Sequence, residues 1–260
     1  MKQLYVLTWL CLYAYIPDVG SGADLPADVD KCRFGDSECI LSSINALIKR
    51  YPQGIPQIGL PRLDTYRFPD TSILDSPQRG PIWLNFRMRD NVHRGFNNAT
   101  VTHVEGFLRQ PNQKQIVLKA HLPRLLHEAT YDQVGRFLLF AINTTGRLQS
   151  DFQNFSLTLT IKVIEEYRNN KRYLKVYSLV PKIDLDRWII WLEDLYKENM
   201  DVTIAVNQIF NENWLEFWNE LQPGLIKSFT TAFTTLLNRV FQNVAYDDMF
   251  LPDLDIRSGL

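Results

Sequence analysis

Residues 213–244 read NWLEFWNELQPGLIKSFTTAFTTLLNRVFQNV. Beyond Pro223 the apolar positions are Leu225, Ile226, Phe229, Ala232, Phe233, Leu236, Leu237, Val240, Phe241 and Val244. Steps of three and four mark one face of a helix. The spacing predicts a helix over 223–244, roughly 33 Å long at ~1.5 Å per residue. Pro223 suits its first position, where no backbone N–H is required, and a shorter helix over 214–221 precedes it. The opposite face carries Lys227, Thr231, Thr235, Asn238, Arg239 and Gln242, too polar for a membrane span. A helix of this kind is a core helix, and the remainder of the chain must supply what packs on it.

Working backwards, residues 202–210 resemble a strand or connecting turn, and Asn211-Glu212-Asn213 can cap the terminal helices. Residues 183–196 are open between a helix, capped by Asp184 or Asp186, and a strand followed by a short helix. Residues 161–167 and 173–179 flank Asn169-Asn170 and read as a hairpin, because asparagine tolerates the positive φ of a tight turn. Glu165, Glu166, Arg168, Lys171 and Arg172 then form a solvated hairpin tip. Ile82, Leu84, Phe86 and Met88 alternate with Trp83, Asn85, Arg87 and Arg89, the period of a strand. Strands are also predicted over 101–108, 115–122 and 134–142. Short turns between them imply an antiparallel sheet. Such a sheet buries its inner face most economically by curling around the terminal helix. The fold class is therefore α+β: a long, strongly curved antiparallel sheet around a long C-terminal helix, with a helix at the N-terminal end.

That N-terminal helix is predicted over 36–51, from Ile40, Leu41, Ile44, Leu47, Ile48 and Tyr51 on one face and Asp36 or Ser37 as cap. Pro52 and Gly54 stop it. The stretch 54–64 is too rich in proline and glycine for a helix and predicts an extended connector that plugs Ile55, Ile58, Leu60 and Leu63 into an apolar interior.

The first 23 residues have a basic start, an apolar run over 4–16 and small residues up to Ala23, the pattern of a secretory leader. Residues 24–260 then form a single domain in the extracellular space. Cys11 leaves with the leader, so Cys32 and Cys39 remain and predict one disulfide. Asn98, Asn143 and Asn154 each begin an Asn-x-Ser/Thr triplet, a glycan acceptor in a secreted protein. Asn98 and Asn143 lie in polar, turn-like sequence. A net charge of −1 gives no basic field for nucleic acid or anionic lipid, and no segment predicts stable membrane insertion.

Catalytic patterns are wanting. There is no Gly-x-Ser-x-Gly elbow and no phosphate loop. His127-Glu128 opens like a metalloprotease motif, but Tyr131 stands where the second metal ligand belongs. His93, His103, His121 and His127 do not converge by spacing. No catalytic residue, metal ligand or cofactor is assigned. The 15 Phe, 11 Tyr and 6 Trp instead favour an apolar binding cavity. Candidate wall residues are Phe229, Phe233, Leu236, Leu237 and Phe241 from the helix, with Phe86, Met88, Val104 and Leu118 from the sheet.

Several local patterns are similar, in order and spacing, to the insect takeout and juvenile-hormone-binding-protein family. They are Lys31-Cys32, Cys39-Ile40, Gly54-Ile-Pro-Gln-Ile-Gly-Leu-Pro61 with Leu63-Asp64, Phe210-Asn-Glu-Asn-Trp214 and Phe250-Leu-Pro252. The resemblance covers nearly the whole chain after the leader. One disulfide places it with the takeout branch. Thr65 departs from the family's proline, and residues 142–146 replace a glycine-rich stretch. The resemblance implies a tubular lipid-binding fold with an internal hydrophobic tunnel. It also implies a non-enzymatic carrier for a small apolar ligand such as a terpenoid, fatty acid or other lipid. An extracellular protein receptor is a further partner class. The other reading is an extracellular glycoprotein whose core is filled by its own side chains.

Overall fold

A computed structural model describes residues 22–76, 82–137 and 140–252. The predicted leader lies outside the described residues except for Gly22 and Ala23. The elements run α1 (Ser37–Arg50), β1 (Thr65–Arg67), β2 (Thr71–Asp75), β3 (Ile82–Arg94), β4 (Thr100–Glu105), β5 (Ile116–Phe137), β6 (Phe140–Arg168), β7 (Lys171–Asp184), β8 (Arg187–Leu192), α2 (Met200–Glu212) and α3 (Trp214–Asn243). All strand pairings are antiparallel.

The sheet is one open layer. Its spine runs β1-β3-β5-β6-β7, with β2 beside β3, β4 beside β5 and β8 beside β6. The β7 and β8 segments are one interrupted edge strand. Asp184 faces Ser156 and Arg187 faces Gln153, so the register continues across the break. Opposite the break, Asn154 has φ +49° and its side-chain amide donates to Asp186 at 2.6 Å. On β3, Asp90 has φ +54° within a register shift between Arg89 and Val92. Such irregularities bend a strand and raise its twist, and here they let the sheet curl. Both edges accordingly reach the same helix. Gly224 of α3 lies so close to β2 that a Cβ would come within 2.2 Å of the Ile73 carbonyl oxygen. On the other edge, the Asn238 side chain accepts from the Val176 N–H of β7 at 2.8 Å.

The structure corrects four details of the sequence reading. First, 214–221 and 223–244 are one helix of 30 residues, roughly 45 Å long. Pro223 lies inside it and forgoes one backbone bond. The rod continues because tertiary packing holds both sides of the proline: Trp218 and Leu225 are both buried. Second, the strand predicted over 134–142 is the ends of β5 and β6, which pair as far as Phe137 with Phe140. Third, 202–210 is helical; residues 183–196, open between two readings, are mainly strand.

The fourth concerns the β6–β7 tip. Asn169 and Asn170 adopt φ +49° and +59° as expected, but the charges around them are engaged. Arg172 pairs with Asp247 at 2.5 Å, Lys171 pairs with Asp248 at 2.7 Å, and Arg168 donates to the Gln242 carbonyl at 2.6 Å. The tip thus grips the end of α3 and the segment after it. Tyr246, 1% exposed, donates its hydroxyl to the Leu108 carbonyl. Phe250 bridges to Cys32, whose carbonyl accepts from Leu251. The Cys32–Cys39 disulfide ties that junction to α1, where Asp36 caps the Cys39 N–H at 3.1 Å.

Helix α2 inverts the usual arrangement. Apart from Phe210 near its end, its inward residues are Thr203, Asn207 and Asn211, one turn apart, and they bond the free edge of β8 and the turn after it. Asn207 accepts from the Leu192 N–H at 2.8 Å and donates to the Leu192 carbonyl at 2.9 Å. Asn211 does the same at Ile190, at 2.9 and 2.7 Å, and Thr203 at Tyr196, at 3.0 and 3.3 Å. These side chains act as a surrogate strand on an edge that would otherwise be open to other chains. Met200, Val202, Ile204 and Ile209 face outward, exposed.

Candidate functional site

Among the described residues, two cavities stand out between the concave sheet face and the helices. The larger, about 300 Å³, is bounded by α1 (Ile40, Ile44, Leu47, Ile48), the 54–64 connector (Ile58, Leu60, Leu63), the sheet (Leu118, Ala120, Leu122, Leu157, Leu159) and α3. From α3 come Phe233, Leu236, Leu237, Val240 and Phe241. The connector plugs as the sequence predicts: Ile55, Ile58, Leu60 and Leu63 are all buried. The turn that does this ends at Gly59, φ +76°, packed against the Arg239 backbone. The few polar side chains of this wall are already engaged or at its rim. Tyr66 donates to the Ala232 carbonyl at 2.7 Å, Ser43 donates to the Asp30 carbonyl at 2.7 Å, and Asp30 itself is exposed.

The smaller cavity, about 200 Å³, lies towards the N-terminal half of α3. Leu84, Phe86, Met88, His127, Ser150, Phe152, Trp188 and Leu225 are among its wall residues, with Phe210 and Phe217 from the α2–α3 junction.

Along α3, the smaller cavity ends at Leu225 and the larger begins at Phe233, with Phe229 one turn from each. Phe229 lines neither. It sits in a partition of rings: Phe68 at 5.0 Å, His93 and Phe155 at 5.7 Å, and Phe233 at 6.1 Å. Phe68 stacks on His93 at 3.9 Å, and His93 on His127 at 4.2 Å. Burial holds both imidazoles neutral: it pushes His93 well below the usual histidine range and His127 down to about 3.

Of the predicted wall residues, Phe233, Leu236, Leu237, Phe241 and Leu118 meet around the larger cavity, and Phe86 and Met88 stand at the smaller. Phe229 forms the partition, and Val104 lies at neither cavity, 2% exposed and paired across strands with Leu118. Spacing did not bring His93 and His127 together, because their pairing depends on the β3–β5 register, where they are direct partners. Neither histidine falls in a stretch that the sequence reads as strand, and the register shift between Arg89 and Val92 breaks the alternation that leads to His93. His121 lies 3.4 Å from Ser156, but Ala120 and Leu122 face the larger cavity, so this pair is on the other side of the sheet. Among the described residues no three potential ligands gather to hold a metal ion, and no helix is long and apolar enough to cross a membrane. Asn98, Asn143 and Asn154 are all exposed. Asn143 lies within β6, not in a turn.

The family model described as haemolymph juvenile hormone binding protein (JHBP) matches residues 6–251. The chain belongs to this family. JHBP-family proteins bind and carry small hydrophobic molecules. The crystal structure of Takeout 1 from Epiphyas postvittana superposes with a TM-score of 0.69 at 19% identity, covering 84% of this chain and 97% of that one. At that identity the match establishes the fold. The circadian clock-controlled protein daywake of Drosophila melanogaster is 20% identical over 248 residues, 94% of this chain and 95% of that protein. Its Drosophila yakuba counterpart is 20% identical over 250 residues. Most of the family patterns noted in the sequence border the larger cavity, through the connector, Cys32, Ile40 and Phe250, whereas Phe210 of the 210–214 pattern borders the smaller.

Proposed function

We propose that the chain is a secreted carrier that reversibly holds a small, uncharged hydrophobic molecule along the inside of the sheet. The two cavities are the ends of one tunnel, and the partition at Phe229 divides it. The observation that carries this reading is the larger cavity, whose wall is aliphatic and aromatic and whose polar groups are mostly engaged elsewhere. Phe233, Leu236, Leu237, Phe241 and Leu118 contact the ligand there, and a guest reaches Phe86 and Met88 at the other end only when the Phe229 ring turns aside. No Lys or Arg is among the described wall residues of either cavity, which favours a neutral guest over a free carboxylate. A volume of about 300 Å³ is at the lower end for ligand pockets and suits a short terpenoid or a medium alkyl chain. Burying eight methylenes contributes ~6 kcal/mol before association costs. The leader-like pattern of the first 23 residues, the disulfide and the exposed sequons support an extracellular setting.

Gentle isolation from medium, solvent extraction and mass spectrometry test this, together with titration of a fluorescent apolar probe. A co-purifying neutral lipid and saturable 1:1 uptake are expected. Absence of both overturns the carrier reading.

A further inference from the structure

We propose that the smaller cavity is a subsite for the uncharged oxygen function of the ligand, a hydroxyl or carbonyl, read by Ser150 and His127, while the larger cavity takes hydrocarbon alone. The proposal rests on the carrier reading and adds the chemical class and orientation of the guest.

A polar row crosses the otherwise apolar concave face. His93 pairs with His127 in register, and His127 with Ser150. All three are buried, at 3, 2 and 5% exposure. Asn91 fixes the chemistry of the middle member. Its Nδ2 donates to the carbonyls of Pro69 and Met88, at 3.1 and 3.2 Å, so its Oδ1 is the acceptor facing His127 Nε2 at 3.1 Å. His127 is therefore protonated on Nε2, and its Nδ1 presents a bare lone pair. No described protein group donates to that nitrogen, and the Ser150 hydroxyl makes no hydrogen bond with the described protein. In the same wall, Trp188 is 3% exposed and its indole N–H has no acceptor among the described residues.

The larger cavity differs on this point, since its Tyr66 and Ser43 hydroxyls are both bonded to protein carbonyls. Buried polar groups are nearly always paired. A wall that keeps an acceptor and a hydroxyl unpaired beside a hollow is built for a guest that supplies the partner. A hydroxyl can donate to His127 Nδ1, and a carbonyl can accept from Ser150. A carboxylate fits poorly, because the imidazole is neutral and Glu220 is also in the wall.

Competition against the fluorescent probe N-phenyl-1-naphthylamine tests this with dodecanol, its non-hydrogen-bonding counterpart chlorododecane, and dodecanoate at pH 8. Dodecanol is expected to bind about tenfold tighter than chlorododecane, the worth of one hydrogen bond, and tighter than dodecanoate. In Ser150→Ala and His127→Gln the preference for dodecanol over chlorododecane should shrink towards unity, with chlorododecane binding retained. Equal binding of the two by the native chain, or a preference that survives both substitutions, overturns the subsite. So does tighter binding of dodecanoate. If the probe itself fails to bind, the carrier reading falls first. Should His127→Gln fail to fold, Ser150→Ala decides alone, since it removes one oxygen and no packing contact.

Discussion

Replacing Asn207 by leucine removes the central rung of the ladder that joins α2 to the β8 edge. The side chain is 1% exposed and makes two bonds to Leu192. Leucine has nearly the same shape, so packing changes little, but the N–H and C=O of Leu192 lose their partners inside the protein. Each buried unpaired group costs ~1–3 kcal/mol. The added apolar burial returns ~1–2 kcal/mol. The net loss is about 3 kcal/mol, a large share of the ~5–15 kcal/mol that holds a domain together. With a urea m-value of ~3 kcal/mol/M, the unfolding midpoint falls by about 1 M. Amide exchange gives the residue-specific readout: protection of the Leu192 N–H drops by about a hundredfold. The control is Ile204→Ser on the outward apolar face of α2, expected to change stability by less than ~0.5 kcal/mol. A loss under ~1 kcal/mol for Asn207→Leu, or a larger one for Ile204→Ser, would show that α2 docks by its apolar residues after all. Phe210 at the end of α2 walls the smaller cavity, so unseating α2 should also weaken ligand binding.

The remaining expectations concern the cavities and their supports. Ala120→Trp projects an indole into the larger cavity and excludes ~four methylenes of ligand, ~3 kcal/mol, so probe affinity falls by about a hundredfold at nearly unchanged stability. His127 has a folded pKa of about 3 against an ordinary 6.5, so the unfolded chain takes up its proton first as pH falls. Its stability contribution is whole above pH 6.5 and is lost progressively down to about 3. Between about pH 6.5 and 5 the loss is ~2 kcal/mol, and His93 adds to it in the same direction. Urea midpoints equal at about pH 7 and pH 5 would refute this. Gly59→Ala places a Cβ at φ +76°, 2.5 Å from the Asn243 amide nitrogen and 2.9 Å from the Arg239 carbonyl oxygen. It should cost at least ~2 kcal/mol by thermal unfolding and lower ligand uptake by displacing the connector.

Local pattern determined a good deal. The three-and-four spacing of α3, the alternation around Phe86 and Met88, the Asn-Asn turn and the proline-glycine connector each arise from short-range backbone preference, which any stretch carries with it. Family membership was legible for the same reason, in short motifs at fixed spacing. Only the tertiary structure decided α2, because the residues it sets against the backbone edge of β8 are asparagine and threonine, so most of its apolar residues mark the wrong face. Pro223 likewise signalled a helix start that packing on both sides overrides. Whether Phe229 lines a cavity or divides it, and that His93, His127 and Ser150 form one row, depend on strand register over separations of tens of residues. Register is set by the bulges and by the curl of the whole sheet, which spacing along the chain does not encode.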